Sequence, residues 1–193
     1  SCYDLLSAVD REVDIPRLRI SSIEPNLLND KIIKLIRDSG KFMPHLHIPL
    51  QSGSNRILKL MKRRYSKELY RDKIKYIKEM IPNISIGVDV ITGFPTETDE
   101  EFSETYSFLD SLGVSYLHVF PYSERENTVA SSMQPQVDRS VRHDRSKQLR
   151  ALSDILKSKF IIKNMGISHR VLIESIDEDF SYGYTENYIK VRV

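Results

Sequence analysis

Residues 87–101 read GVDVITGFPTETDEE, and this stretch decides how the rest of the chain is interpreted. Its apolar, β-branched beginning predicts a strand over Ile84–Ile91. Thr98 and Glu101 then form a capping box, in which the hydroxyl and the carboxylate satisfy opposed backbone donors at a helix start. The apolar periodicity predicts that this helix ends at Gly113. A strand that leads through a turn into a helix indicates a βα unit.

The same alternation of strand and helix extends outward in both directions. The predicted strands are Arg17–Ile23, His45–Leu50, Ile84–Ile91 and Tyr116–Phe120. The predicted helices are Asp30–Ser39, Asn55–Lys62, Ser66–Met80, Thr98–Leu112 and Asp138–Met165. Alternating elements of this kind indicate the α/β class, with parallel strands joined by helices. We expect part of a TIM-like (β/α) barrel, whose remaining strands would precede residue 1.

The pattern changes after Gly166, where the last long helical run ends. From there, β-type runs at His169–Ile176 and Glu186–Val193 flank a turn-rich stretch. We therefore expect two domains, residues 1–166 as the α/β part and residues 167–193 as the start of a small antiparallel β domain. The chain begins at Ser1 rather than a methionine and stops at Val193 inside an alternating run, so we expect it to be a piece of a longer protein.

The composition is that of a globular chain without a strong charge bias. Its 193 residues are 40% hydrophobic, and 29 basic against 27 acidic residues leave a net charge of +2. Any RNA contact must therefore come from local patches. No apolar run reaches the roughly 20 residues of a membrane span, so we expect a cytoplasmic protein with no membrane partner. The lone Cys2 cannot form an internal disulfide or hold an iron–sulfur cluster, and we predict no metal site.

Polar and flexible residues follow each predicted strand, at the end where α/β proteins place their reactive sites. The segments are Ser21–Pro25, Gln51–Ser54, Thr92–Thr98 and Phe120–Ser123. Their hydroxyls, amides and glycines suit a polar, nucleoside-like ligand, whereas a structural turn needs only a cap and one flexible residue. We predict that nine of these residues form a ring around the ligand: Ser22, Glu24, Gln51, Ser52, Ser54, Gly93, Glu97, Tyr122 and Ser123.

Three stretches carry a resemblance to a known family. They are HLHIPLQSGS at residues 45–54, LKLMKRRY at 58–65 and GVDVITGFPTET at 87–98. Together they resemble the second half of the radical-SAM domain of methylthiotransferases, and the likeness covers almost the whole chain. Ser21–Pro25 and Val119–Ser123 are similar to the branch that acts on threonylcarbamoyladenosine in tRNA.

The resemblance implies a pocket for S-adenosylmethionine (SAM) along the strand ends. In it, Gln51–Ser54 would contact the ribose and methionine atoms, and Ile91–Glu97 would flank the adenine. The family also uses 4Fe-4S clusters, one of them in a CxxxCxxC loop that these residues do not contain. We therefore expect this chain alone to be inactive, and its catalytic residues stay unknown. Ser168–Val193 is similar to the start of a TRAM domain, which makes tRNA an expected partner.

The parent enzyme implied by this resemblance would add a methylthio group to the adenine ring carbon of the modified nucleoside. Two other functions stay open at this point. One is a different radical-SAM reaction on the same barrel, such as that of the isopentenyladenosine or ribosomal-protein methylthiotransferases. The other is a non-catalytic RNA-binding or scaffold fragment. The residues that precede Ser1 would discriminate among the three.

Several polar residues have a structural interpretation beside a functional one. His45 and His47 point to one face of a strand, where packing or hydrogen bonding is favoured over metal binding because no third ligand is near. Asp89 lies among apolar residues and needs a partner, in the protein or in the pocket. Arg63 and Arg64 either bind a carboxylate or phosphate or lie on a solvated face.

Two further expectations concern surfaces. Tyr182, Tyr184 and Tyr188 either offer stacking surfaces to RNA bases or pack across strands, and the second role is favoured. The first strand, Arg17–Ile23, would end the sheet with unpaired backbone groups. We expect this edge to be covered by self-association with a second copy or by Leu5–Val13.

Overall fold

The computed structural model describes residues 1–193 and contains two β-sheets. The first sheet consists of four parallel strands in sequence order: β1 (Leu18–Ile20), β2 (Phe42–His47), β3 (Ser85–Thr92) and β4 (Tyr116–Pro121). The helices are α1 (Cys2–Glu12), α2 (Asp30–Asp38), α3 (Asn55–Leu60), α4 (Lys67–Met80), α5 (Asp99–Leu112), α6 (Val129–Ser132) and α7 (Arg139–Asn164). None of them has the length and apolar character needed to cross a membrane. The predicted α/β class with parallel strands is confirmed.

Capping residues set where the helices between the strands begin. Asn29 and Ser66 accept a backbone N–H at the starts of α2 and α4. Thr98 and Glu101 form the predicted capping box at the start of α5. Gly113 ends α5 with a left-handed φ of 61°, a conformation that glycine adopts without steric cost. The local signals around residues 98–113 therefore determine this helix.

The apolar core lies between the sheet and its helices. Alternate strand residues such as Leu46, Val88 and Val90 are fully buried, and Leu149 and Leu152 of α7 belong to the same core. Burial of side chains of this size stabilises the fold by roughly 1.5–3 kcal/mol each. The period of two along each strand leaves polar residues on the opposite face of the sheet.

Several predicted boundaries differ from the structure. β1 spans Leu18–Ile20 only, and its register against β2 shifts between these two residues. β2 begins at Phe42 rather than His45 and includes a proline at its third position. α1 was not predicted at all. It buries no residue completely.

A three-stranded antiparallel sheet follows α7, with β5 (Val171–Ile176), β6 (Ser181–Thr185) and β7 (Lys190–Arg192). The expectation of two strands was incomplete, since the turn-rich stretch contains β6 and the last strand starts only at Lys190. Gly183 lies inside β6, where a glycine argues against a strand. Here a Cβ atom would lie 2.1 Å from the Leu172 carbonyl oxygen, so the pairing with β5 requires glycine. The division into residues 1–166 and 167–193 stays a prediction.

The small sheet contacts the parallel sheet at the end where its strands begin. The Arg17 guanidinium donates to the carbonyl oxygens of Arg170 (2.9 Å) and Tyr184 (3.2 Å). The Asn187 side chain donates to the Asn83 carbonyl oxygen at 3.1 Å, just before β3. The small sheet therefore lies away from the carboxyl ends of the parallel strands.

β1 forms one edge of the parallel sheet and pairs only with β2. Most of Leu5–Val13 belongs to α1, which packs on α2. The Lys41 ammonium holds the end of this helix through the carbonyl oxygens of Asp10 (2.6 Å) and Val13 (2.8 Å). Leu5–Val13 thus adds no strand to the edge, and self-association through β1 stays a prediction.

Candidate functional site

The segments that follow the parallel strands meet at the carboxyl end of the sheet. Gln51, after β2, forms a bridge with Val90 of β3. The Tyr122 amide, after β4, donates to the Thr92 carbonyl oxygen at 2.9 Å. Parallel strands joined by helices place these loops together, as expected for a (β/α) architecture.

Gln51 has a backbone conformation that is unusual for a residue with a Cβ atom. Its φ is 72°, in the left-handed region. Its amide donates to Asp89 O at 2.8 Å, and its carbonyl oxygen accepts from Ile91 N at 2.9 Å. The residue is 9% exposed, and its side-chain amide makes no hydrogen bond within the chain. Strained conformations of this kind cost about 1–3 kcal/mol and cluster at ligand sites.

The neighbouring hydroxyls hold the loop against α5. Ser52 Oγ lies 3.4 Å from Thr105 Oγ1 and accepts from Ser54 N at 3.2 Å. Ser54 Oγ donates to Glu101 Oε1 at 2.9 Å. A Cβ atom on Gly53 would lie 2.6 Å from Thr105 Cα, so glycine is required for this close approach. Two of the predicted ring hydroxyls are thus already bonded within the chain.

Glu97 supports the turn that contains Gly93. Its Oε2 atom accepts from Gly93 N and from Arg145 Nη1, both at 2.7 Å. Arg145 also pairs with Asp99 Oδ1 at 2.6 Å. Burial raises the pKa of Glu97, and the Gly93 amide and the Arg145 guanidinium oppose that rise. Sequence reasoning missed Arg145, because an ion pair across 48 residues has no spacing signature.

Tyr122 joins the carboxyl end of β4 to this turn. Its ring packs edge-on against Phe94, with 5.5 Å between centroids, and the Arg142 guanidinium lies 5.2 Å from the centroid of the Tyr122 ring. The Tyr122 hydroxyl is buried and has no hydrogen-bond partner. Ser123 is exposed. The predicted ring therefore contains two polar groups without a hydrogen-bond partner in the chain, the Tyr122 hydroxyl and the Gln51 side-chain amide.

Ser22 and Glu24 follow β1. Ser22 is exposed, and Glu24 Oε1 accepts from Arg63 Nη1 at 2.8 Å. Arg63 thus binds a carboxylate, one of its two predicted roles, whereas Arg64 is exposed. The hydrogen bonds above link Gln51, Gly93, Glu97 and Tyr122 to neighbouring strands and turns. Ser22 and Ser123 contribute exposed hydroxyls.

A polar network lies on the face of the parallel sheet opposite its helices, which we call the inner face. His45 Nε2 lies 2.8 Å from the Tyr116 hydroxyl, and His47 Nε2 lies 2.8 Å from Asp89 Oδ1. Burial and the nearby Arg19 lower the pKa of His45 to about 4. The favoured hydrogen-bonding role of both histidines is confirmed, and Asp89 finds its partner within the protein.

The tyrosines of the small sheet also pack within the protein. The Tyr188 ring lies 4.7 Å from the His45 ring and 6.0 Å from the Tyr184 ring, between centroids. The Arg19 guanidinium lies 4.9 Å from the Tyr188 centroid. The favoured packing role is confirmed for these two tyrosines, which join the small sheet to the inner face of the parallel sheet.

Comparisons with known proteins agree with this architecture. The model of the Radical SAM superfamily matches residues 2–109. Threonylcarbamoyladenosine tRNA methylthiotransferase MtaB of Bacillus subtilis (strain 168) is 43% identical over 193 residues, which cover 97% of this chain and 43% of that protein. The tRNA-2-methylthio-N(6)-dimethylallyladenosine synthase of the same strain is 38% identical over 179 residues, 91% of this chain and 35% of that protein. The predicted resemblance to methylthiotransferases is confirmed.

A solved structure shares the fold. Coproporphyrinogen III oxidase (HemN) from Escherichia coli, described as a Radical SAM enzyme, superposes with a TM-score of 0.60 at 15% identity. The match covers 88% of this chain and 46% of that one. At this identity the likeness concerns the fold alone. The chain spans less than half the length of the relatives described here.

Proposed function

The chain belongs to the Radical SAM superfamily, and from this we propose that it is part of an enzyme that methylthiolates N6-threonylcarbamoyladenosine in tRNA, with SAM and 4Fe-4S clusters as cofactors. The substrate assignment rests on the higher identity to the threonylcarbamoyladenosine enzyme than to the dimethylallyladenosine enzyme. Both relatives are named for methylthio chemistry on a tRNA adenosine, so the reaction class is common to them. A cytoplasmic location is consistent with tRNA as the partner.

SAM would bind in the ring at the carboxyl ends of the parallel strands. The main support is Gln51, a residue only 9% exposed, whose side-chain amide makes no hydrogen bond within the chain and whose backbone has a left-handed φ. The buried, unpartnered hydroxyl of Tyr122 is a second polar group that a nucleoside-like ligand would satisfy. The exposed hydroxyls of Ser22 and Ser123 complete the set of donors and acceptors.

Other predicted ring residues would act by positioning rather than by contact. Ser52 and Ser54 fasten the loop to α5, and Glu97 fastens the Gly93 turn to Arg145. When bound, SAM supplies the reactive group, and these residues hold the loops that orient it.

The described residues do not fit a 4Fe-4S cluster. Cys2 is the single cysteine, and it is exposed on α1. No three His, Cys, Asp or Glu side chains are arranged to hold a metal ion. Cluster ligands would therefore come from outside these 193 residues.

The test is a reaction of the full-length protein, reconstituted anaerobically, with SAM, a reductant and a sulfur source. One tRNA would carry N6-threonylcarbamoyladenosine and a second N6-isopentenyladenosine, and digested nucleosides would be analysed by mass spectrometry. The proposal expects the methylthio product on the first tRNA. Product on the second tRNA alone would transfer the assignment to the isopentenyladenosine branch. Binding of tRNA without any product would favour the scaffold alternative.

A further inference from the structure

A basic cleft of about 340 Å³ opens next to Tyr122, between the carboxyl end of β4 and one face of α7. Three arginines line it, Arg139, Arg142 and Arg150, and Glu124 is its only acidic residue. Only one of the nine lining residues is hydrophobic. Most of the lining side chains are polar or charged and three of them are arginines, so the lining favours an anionic partner.

The charges in this cleft do not cancel. Arg142 is fixed inside the protein, since its side chain is 5% exposed and pairs with Glu124 Oε1 at 2.8 Å. This ion pair uses the only carboxylate of the cleft, that of Glu124. Arg139 is 89% exposed and lies 3.8 Å from the other Glu124 oxygen. Arg150 is exposed and forms no ion pair within the chain. Three arginines against one glutamate leave a local excess of 3 − 1 = +2, as large as the net charge of the entire chain.

Three exposed side chains of the cleft form a row. Arg139, His143 and Arg150 are spaced by four and seven residues, which places them on one face of the helix. Eleven residues of α-helix extend over about 16 Å, at 1.5 Å per residue. A row of this length suits an extended polyanion better than one small anion. Guanidinium groups also match the geometry of phosphate oxygens.

We propose that this cleft binds the phosphate backbone of the RNA substrate, beside the nucleotide that enters the ring. The inference rests on the proposed function, and it adds a contact surface to it. Tyr122 belongs both to the ring and to the cleft, so RNA held along α7 would be delivered directly to the site. The small sheet lies away from the carboxyl ends of the parallel strands, so the cleft is a separate RNA contact.

The test measures tRNA affinity of the full-length protein as a function of salt concentration. The double variant Arg139→Gln/Arg150→Gln removes the two exposed guanidiniums, and Arg139→Lys/Arg150→Lys keeps the charge. Arg71→Gln/Lys75→Gln is the matched control, because it removes two exposed cations from α4. Loss of two phosphate contacts should reduce the slope of log K against log salt by about 1.4 to 1.8. The lysine variant and the control should keep the wild-type slope, and SAM affinity should be unchanged in all three.

The outcomes separate this proposal from the proposed function. An unchanged slope in the glutamine variant, with folding intact and methylthiolation retained, would overturn the cleft and leave the function standing. An equal change in the control pair would also overturn it. If the wild-type protein bound no tRNA, the proposed function itself would fail. Polyglutamate that competed for the cleft as well as a single-stranded oligoribonucleotide would assign it to an acidic protein instead.

Discussion

At Gln51, a residue with a Cβ atom takes a left-handed φ of 72°, and its side-chain amide has no partner in the chain. If this amide binds SAM, Gln51→Ala removes a buried hydrogen bond worth about 1–3 kcal/mol when the ligand group is left unpaired. The dissociation constant for SAM should rise about tenfold or more. Calorimetry on the full-length protein measures this, and Lys67→Ala, at the start of α4 where the lysine pairs with Glu104, is the control.

Glu97→Ala should also weaken SAM binding, but through the Gly93 turn that its carboxylate holds. Unchanged SAM affinity in both the Gln51 and the Glu97 variants, with folding intact, would show that the ring is misassigned even if the family assignment holds.

The Glu97 and Arg145 pair offers a second prediction at this scale. Both side chains are almost fully buried. Arg145→Met leaves the Glu97 carboxylate buried without its cation, and removing one partner of a buried pair costs about 3–5 kcal/mol of unfolding free energy. In the double variant Glu97→Gln/Arg145→Met the loss should be clearly smaller than the sum of the single losses. Urea denaturation checks this, and additive losses would contradict the pairing.

His45 makes stability depend on pH. Its folded-state pKa of about 4 lies below the ordinary value of 6.5, so the unfolded chain binds the proton first as pH falls. The stability gained by keeping His45 neutral in the folded protein is fully present above pH 6.5 and is lost as pH falls through 4. By the linkage relation it amounts to about 3 kcal/mol. His45→Gln should flatten this part of the profile of unfolding free energy against pH. A variant with an unchanged slope between pH 4 and 6.5 would contradict the assignment.

At the scale of elements, the sequence predicted those units whose signals are local. α5 begins with its own capping box and ends at its own glycine, so its bounds were predictable. β6 was not, because the need for Gly183 arises from the Leu172 backbone of another strand. The same distinction between local and long-range signals applies to the candidate site. Convergence of the loops follows from topology, whereas the partner of Glu97 depends on where α7 packs.

Gly183→Ala tests this account of β6. The added Cβ atom would meet the Leu172 carbonyl oxygen, and overpacking of this kind costs about 1–3 kcal/mol. We expect faster hydrogen exchange at the β5 and β6 amides. Gly40→Ala is the matched control, since nothing lies within 4 Å of a Cβ atom there. Equal protection in both variants would contradict the close approach of these strands.

At the scale of the whole molecule, the candidate site and the small sheet lie at opposite ends of the parallel strands. The carboxyl ends of the parallel strands hold the ring and the basic cleft, and the small sheet packs near the strand beginnings through Arg17 and Asn187. The alternation of strand and helix predicted the parallel sheet, and the β-type runs after Gly166 predicted a small antiparallel domain. The composition did not predict the cleft, because a net charge of +2 for the whole chain does not show where the charges lie.

The most direct test of the central claim is nucleoside analysis of tRNA from the source organism with and without the gene. The account predicts that deletion abolishes 2-methylthio-N6-threonylcarbamoyladenosine, that its unmodified precursor accumulates, and that the wild-type gene restores the product. A deletion strain that kept this nucleoside but lost 2-methylthio-N6-isopentenyladenosine would contradict the account.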